Sequence, residues 1–272
     1  MKTFKVDREI KLEKFLKQVY GEKLPYSSYK KLLRNKDIKV NGKRINSEIT
    51  LNLGDVVEVY FDGVNKSLKV LYVDENVLVL DKPCGIEVED FELLVQKTYN
   101  KAKMVHRLDR NTSGIMVFSL NDKAYEELLF AFKNRDIDKY YLAEVYGFFD
   151  NDEGVLTDYL VKDSKKSKVE IFKNSEPNSV KIITEYKTIE KLEKSSIIEV
   201  KLITGKTHQI RAHTAFYGHF IIGDGKYGDN LINKSFSAKY QRLTASRIEF
   251  KLNGKLLSYL NGKQIKIERN PW

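Results

Sequence analysis

Cysteine is nearly absent from this chain. Cys84 is the only one in 272 residues, which excludes an internal disulfide and a cysteine-rich zinc site and agrees with a reducing compartment. No apolar run approaches the roughly 18 residues that cross a bilayer. The start, MKTFKVDREIKLEKF, has no apolar stretch followed by small residues, so it does not read as a secretory signal. A monomeric, cytoplasmic protein with no membrane partner is expected. Histidine is scarce too, and His208 and His213 stand five apart instead of the four that puts two ligands on one helical face, so no metal is expected. Gly205-Lys206-Thr207 has the form of the end of a phosphate-binding loop, but Val200 stands where that loop needs its first glycine, and nucleotide hydrolysis is unsupported. Ser113, between Thr112 and Gly114, makes no G-x-S-x-G elbow. The chain has no internal repeat and no low-complexity tract.

What is present is positive charge. Hydrophobic residues make up 42% and charged residues 32%, as in a soluble globular protein, and the net charge is +10. Residues 1–66 hold 15 basic and 9 acidic side chains, so +6 of that charge lies in a quarter of the chain. Such a patch fits a polyanionic partner, because phosphate neutralisation with counterion release drives nucleic-acid binding. It also fits a lysine-rich surface that serves solubility, and charge alone does not separate the two.

In the first sixty residues, Leu12, Phe15, Leu16 and Val19 recur at helical spacing. A second helix begins near Ser27 or Ser28, either of them a plausible cap, and buries Tyr29, Leu32 and Leu33. Ile38–Val40 and Lys43–Ile45 flank Asn41-Gly42, a hairpin turn, and Leu53-Gly54-Asp55 turns into a strand over 56–61. Residues 8–61, with SSYKKLLRNKDIKVNGKRI and the close LNLGDVVEVYF, resemble the small RNA-binding domain named after ribosomal protein S-four. In that family the second helix and the following turn present basic residues to structured RNA. The resemblance makes Lys30, Lys31, Arg34, Lys36, Lys43 and Arg44 the RNA-binding candidates. The expected division is an RNA-binding domain at 1–61, a polar linker at 62–68 and a larger domain at 69–272.

Beyond the linker, Val70–Val73 and Val77–Leu80 form a hairpin, and residues 87–98 read as an acidic patch leading into a helix. MVHRLDRNTSGIMVFSL, residues 104–120, reads as strand, tight turn, strand, with Asp109 at the lip of the turn. Taken alone, that aspartate fits a turn cap. Asp122 caps a helix whose apolar face is Ala124, Leu128, Ala131 and Phe132. KYYLAEVYG is a strand with Tyr141, Ala143 and Val145 on one face, VKDSKKSKVE a basic loop between two short strands, and 180–189, 197–203 and 246–251 are further strands. Thr207 caps the helix of HQIRAHTAFYG, which ends at Gly218. Few helices alternate with about nine strands, so the fold class is α+β, with a mixed, largely antiparallel sheet.

HRLDRNTSG, the K-x-Y-L-A segment at 139–143, and TGKTHQIRAH followed by GHFIIGDGKYG resemble the RluA family of pseudouridine synthases, in the family's order across residues 70 to about 250. The resemblance implies a fold, a reaction and a partner. The reaction is isomerisation of uridine in RNA, with neither cofactor nor metal, and the RNA is large-subunit ribosomal RNA. It makes Asp109 the catalytic carboxylate, acting on the anomeric carbon, on the base or in its departure. Arg211 is its ion-pair partner, Tyr141 packs on the target base, Arg107 enters the RNA stack as the uridine flips out, and Leu202 and Ile203 line the base pocket. An unshifted tyrosine, with a pKa of about 10, is a poor base at neutral pH, which favours stacking for Tyr141. His208, His213 and His219 read as structural. Phe220, Glu89 and Lys206 depart from the family's usual proline, histidine and arginine, which bears on loop geometry and substrate choice. Two alternatives remain: an inactive RNA-binding ribosome-assembly factor, and a synthase acting on transfer RNA.

Overall fold

The computed structural model describes residues 2–21, 24, 26–60, 68–163, 168–253 and 256–267. They fall into two compact units, Met1–Ser67 and Leu68–Trp272. All of the expected linker except Leu68, the centre of the basic loop at 164–167, and Phe61 lie outside the described residues.

The first unit runs β1 (Lys2–Lys5), β2 (Ile10–Lys11), α1 (Leu12–Tyr20), α2 (Tyr26–Arg34), β3 (Ile38–Val40), β4 (Lys43–Ile45), β5 (Thr50–Leu51) and β6 (Val56–Val59). Leu12, Phe15, Leu16 and Tyr20 form the buried stripe of α1, whereas Val19 is 37% exposed. Tyr20 takes the inward place, its ring edge-on to Phe4 at 5.6 Å. Ser27 and Ser28 lie inside the first turn of α2, not at its cap, and Tyr29, Leu32 and Leu33 are buried. Asn41 (φ 50°) and Gly42 (φ 77°) give the β3–β4 turn the two positive φ angles of type I′. Asn41 fastens that turn: its Nδ2 donates to Asp55 Oδ1 at 2.8 Å and its Oδ1 accepts the Val56 N–H at 2.9 Å. The sheet order is β1-β6-β3-β4, antiparallel throughout.

The second unit contains β7 (Val70–Val73), β8 (Val77–Lys82), α3 (Val88–Gln96), β9 (Lys103–Met104), β10 (Ser113–Ser119), α4 (Asp122–Asn134) and β11 (Ile137–Tyr146). It continues with β12 (Glu153–Asp163), β13 (Lys168–Phe172), β14 (Val180–Lys191), β15 (Ser195–Leu202), α5 (Gln209–Phe216), α6 (Asn230–Ser235), β16 (Leu243–Phe250) and β17 (Gln264–Lys266). Eleven strands make one sheet, ordered β13-β12-β14-β15-β11-β16-β10-β8-β7, with β17 beside β16 and β9 beside β10. Among the described residues every pairing in it is antiparallel except β10 with β16, so the class is α+β with a mixed, largely antiparallel sheet. The strand before the basic loop, expected to be short, is the 11-residue β12. β8 and β10 are buried along their whole length, which is why both read as continuous apolar runs instead of alternating ones.

The stretch 104–120 is not strand, turn, strand. β9 is two residues long, and residues 105–112 form an irregular loop closed by a Thr112 N–H to Asp109 O hydrogen bond of 3.0 Å. His106 folds inward, and its Nε2 accepts the Val117 N–H at 2.9 Å, a ladder position that a strand would have filled with backbone. Gly114 (φ 114°) then lets β10 press against β16, since a Cβ there would lie 2.3 Å from Ala245 O. Two caps shift by one residue each. Asn121, not Asp122, accepts the Ala124 N–H at 2.9 Å. α5 starts at Gln209, after His208 in a left-handed conformation (φ 52°), and Thr207 does not cap it.

Candidate active site

A cavity of about 760 Å³ opens in the second unit. The 105–112 loop, β11, the end of β15 and the start of α5 supply its walls, and Asp109, Tyr141, Leu202 and Arg211 all line it. Residues more than a hundred positions apart in sequence thus share one concavity.

Arg211 organises its floor. Its Nη1 donates to Asp109 Oδ2 at 2.6 Å, and its Nε and Nη2 donate to the two oxygens of Asp224 at 2.7 and 3.0 Å. Asp224 is wholly buried and also accepts the Lys226 N–H at 2.8 Å and the Tyr227 N–H at 3.2 Å. Burial pushes the Asp224 pKa up, but its hydrogen bonds and the Arg211 charge outweigh this and hold it below the ordinary carboxylate value. Burial likewise opposes charge on Arg211, and the two carboxylates reverse that, so the guanidinium is held charged. The Asp109 side chain keeps 27% exposure and faces the cavity with one oxygen held. An arginine fork locks carboxylates in a plane that a lysine point charge would not.

Tyr141 is buried on β11, and burial followed by the Asp109 charge raises its pKa, so its hydroxyl stays protonated at neutral pH. Arg107 lines the cavity with an exposed side chain 4.0 Å from Glu89. Residues 107–109 are not in a strand, so strand alternation does not align Arg107 with Asp109. Leu202 lines the cavity and Ile203 does not, because consecutive side chains at a strand end leave on opposite sides. His208 Nε2 lies 3.9 Å from Asp109 Oδ2, and its Nδ1 bonds to the Tyr227 hydroxyl at 2.9 Å. His213 does not line the cavity: its Nε2 donates to Asp158 at 2.9 Å and its Nδ1 takes the Thr184 hydroxyl at 2.9 Å, tying α5 to β12 and β14. His219 packs against Phe149 at 4.1 Å.

The six basic candidates lie in the first unit. Lys30, Lys31 and Arg34 are exposed on α2, and Lys36, Lys43 and Arg44 are exposed along the following turn and hairpin. Arg44 donates from Nη1 to Lys36 O at 2.9 Å and sits over the Tyr60 ring, while Lys30 lies over Tyr26 at 5.2 Å.

Asp224 and Lys82 receive no role from the sequence. Asp224 sits between two glycines in IIGDGKYG, a spacing that resembles any turn. Lys82, in LDKP, is fully buried, and its Nζ donates to Pro83 O at 3.2 Å, Ile86 O at 2.9 Å and Arg110 O at 3.1 Å. It thereby pins the residue next to Asp109. Burial pulls its pKa down to about 8. Nothing in a single lysine of the sequence announces three carbonyl partners.

Among the described residues no group of three or more His, Cys, Asp or Glu side chains could hold a metal ion, and no helix is long and apolar enough to cross a membrane. The site is a clamped carboxylate in an open concavity with an aromatic wall. Residues 76–216 match the family described as RNA pseudouridylate synthase. An uncharacterized RNA pseudouridine synthase of Mycoplasma capricolum is 34% identical, over 98% of this chain and 96% of its own length. The ribosomal large subunit pseudouridine synthase C of Vibrio vulnificus is 31% identical, over 80% and 76%. The solved structure of human RNA pseudouridylate synthase domain containing 1 has the same fold, with a TM-score of 0.64 at 22% identity over 72% of this chain and 83% of that one. The chain therefore belongs to the RluA family of RNA pseudouridine synthases, isomerases that act on uridine in RNA.

Proposed function

We propose that this synthase converts specific uridines of large-subunit ribosomal RNA to pseudouridine, as a cytoplasmic monomer, with Asp109 as the catalytic carboxylate acting on a flipped-out nucleotide. The observation that carries the reading is the Asp109–Arg211–Asp224 clamp, which fixes one carboxylate of the cavity at 2.6 Å from a guanidinium that is itself anchored. The names of the Vibrio relatives support the ribosomal target. In the isomerisation the C1′–N1 bond breaks with its electron pair on uracil, the base rotates, and C5 bonds to C1′. C5 then loses its proton and N1 gains one, so atoms and charge balance.

Tyr141, buried and protonated, offers a ring for the base to stack on, and Leu202 offers an apolar edge. Arg107, exposed at the rim, is the side chain to fill the vacated stack. Flipping costs a few kcal/mol, and a stacked guanidinium offsets part of that. The first unit serves as an RNA-binding module of the S-four type, its α2 and hairpin lysines and arginines taking phosphates and so positioning the RNA.

The test is tritium release from ribosomal RNA carrying carbon-5-labelled uridine. Wild type is expected to release label, and Asp109→Ala to release none above background. Full turnover by that variant would remove Asp109 from the mechanism. Mapping pseudouridines in total RNA from cells with and without the gene identifies the target and separates ribosomal from transfer RNA.

A further inference from the structure

The cavity holds several cations, and most of their charge is already committed. Arg211 is bound to two carboxylates, Arg107 and Arg110 stand beside Glu89 and Glu87, and the Lys82 ammonium is surrounded by three carbonyls. Lys133, Lys162 and Lys206 are exposed and hydrated at the rim. Lys139 differs from all of these. It lines the cavity only partly exposed, and among the described residues no hydrogen-bond acceptor or carboxylate reaches its Nζ. Its Nζ lies 5.9 Å from the Phe132 ring and near Gly205, where an added Cβ would lie 3.2 Å from it, and the Arg135 charge opposes its ammonium while the Asp138 charge favours it. His106 also lines the cavity, stacked against Phe132 at 4.6 Å, and burial followed by the Lys139 charge pulls its pKa down to about 3, so it stays neutral and adds no second cation there.

The adjacent carboxylate makes its ion pairs with other lysines. Asp138 pairs with Lys201 at 3.0 Å and with Lys251 at 2.7 Å. Lys139 and Tyr141 are two apart on β11 and therefore project to the same side of the sheet, into the same cavity. Taking an ammonium partly out of water with no partner is unfavourable, and burial indeed holds the Lys139 pKa below the ordinary lysine value. The arrangement is that of a cation awaiting an anion brought by the substrate.

We propose that Lys139 is the anion seat of the cavity, its ammonium receiving an anionic oxygen of the nucleotide that stacks on Tyr141. This rests on the synthase reading. Two oxygens of that nucleotide have the required chemistry. One is a uracil carbonyl oxygen, O2 or O4, which takes up charge when the C1′–N1 electron pair leaves on the base. The other belongs to the flanking phosphodiester, which is charged throughout. A cation acting on the first stabilises the transition state more than the ground state, whereas a cation acting on the second strengthens binding in both.

The experiment uses the full chain with transcripts of large-subunit ribosomal RNA. It compares wild type, Lys139→Met, Lys139→Arg and Gly205→Ala, the last of which places a methyl against Nζ without removing charge or touching the core. Thermal melting first establishes that each variant is folded. A single-turnover rate that falls at least 30-fold in Lys139→Met at saturating RNA, with affinity within about threefold and partial recovery in Lys139→Arg, supports the seat and assigns it to the uracil oxygen. An affinity loss of tenfold or more, with the salt dependence reduced by the equivalent of about one neutralised phosphate and the rate recovered at saturation, supports it and assigns it to the phosphodiester. In either case Gly205→Ala is expected to show the same pattern at a smaller amplitude. Wild-type rate, affinity and salt dependence in a folded Lys139→Met would overturn the proposal. If wild type forms no pseudouridine in any of these transcripts, the synthase reading fails in its target, and the affinity arm still reads Lys139 separately.

Discussion

Asp224 grips Arg211 by two hydrogen bonds, 2.7 and 3.0 Å, and leaves the remaining Nη1 to Asp109 at 2.6 Å. The guanidinium thus works as a fixed bracket between a wholly buried carboxylate and one that faces the cavity. Replacing Asp224 by Asn keeps the shape and removes the anchor's charge. Single-turnover rates are expected to fall on the order of 10²-fold, the usual cost of a small misplacement of a reacting group, while RNA affinity stays within about twofold. An unchanged rate would mean that Asp109 needs no bracket.

Tyr141 tests stacking against proton transfer. Its buried, protonated hydroxyl is a poor base, so Tyr141→Phe, which keeps the ring, is expected to retain RNA affinity and an unshifted pH–rate profile. Tyr141→Leu is expected to lose affinity for RNA by roughly tenfold, in line with about 1–3 kcal/mol per base stacked on an aromatic ring. Loss of a basic limb in the profile of Tyr141→Phe would instead assign the hydroxyl to proton transfer.

His106 makes stability depend on pH. Burial, and then the Lys139 charge, depress its pKa from 6.5 to about 3. Between those values the unfolded chain binds a proton that the native protein refuses. Its contribution is therefore complete above pH 6.5 and is lost as the pH falls, at up to about 1.4 kcal/mol per pH unit. Urea denaturation at pH 7 and pH 5 measures it. His106→Gln, which keeps an acceptor for the Val117 N–H, is expected to flatten the slope.

Gly114→Ala is expected to destabilise the second unit by at least about 2 kcal/mol, because the position combines φ 114° with a Cβ 2.3 Å from Ala245 O. A denaturation midpoint equal to that of wild type would show that β10 and β16 can separate without cost.

On the first unit, Lys30→Ala with Arg34→Ala is expected to weaken RNA binding evenly across sequences and to lower the salt slope by about 0.7 for each phosphate no longer neutralised. Filter binding at a series of salt concentrations reads both quantities. Unchanged slopes would remove α2 from the RNA interface.

The sequence is most legible where a local rule decides the outcome. Asn41-Gly42 could hardly be other than a hairpin turn, and Tyr141, Ala143 and Val145 had to share one buried face. The length of β12 is underestimated from sequence because it mixes charged and apolar residues along a strand buried only in part. The 105–112 loop is misread because the decision there is tertiary: His106 turns inward to take the Val117 N–H, and nothing in the local spacing says so. Asp109 and Arg211 can be paired from the motifs that carry them, whereas Asp224 and Lys82 cannot, since burial and hydrogen-bond partners set their roles.

The lone parallel pairing of the described sheet has a consequence in time. Ser113 and Gly114, just after the Asp109 loop, lie against Thr244 and Ala245, and Gln241 Nε2 reaches back to the Thr112 hydroxyl at 2.7 Å. During synthesis on the ribosome the loop is made more than a hundred residues before the strand that seats it. A nascent chain can already hold the compact first unit, yet it lacks a finished cavity until Gln241, Leu243 and the strand they lead into have emerged. On the roles proposed for the two units, capture of RNA would become available before chemistry upon it.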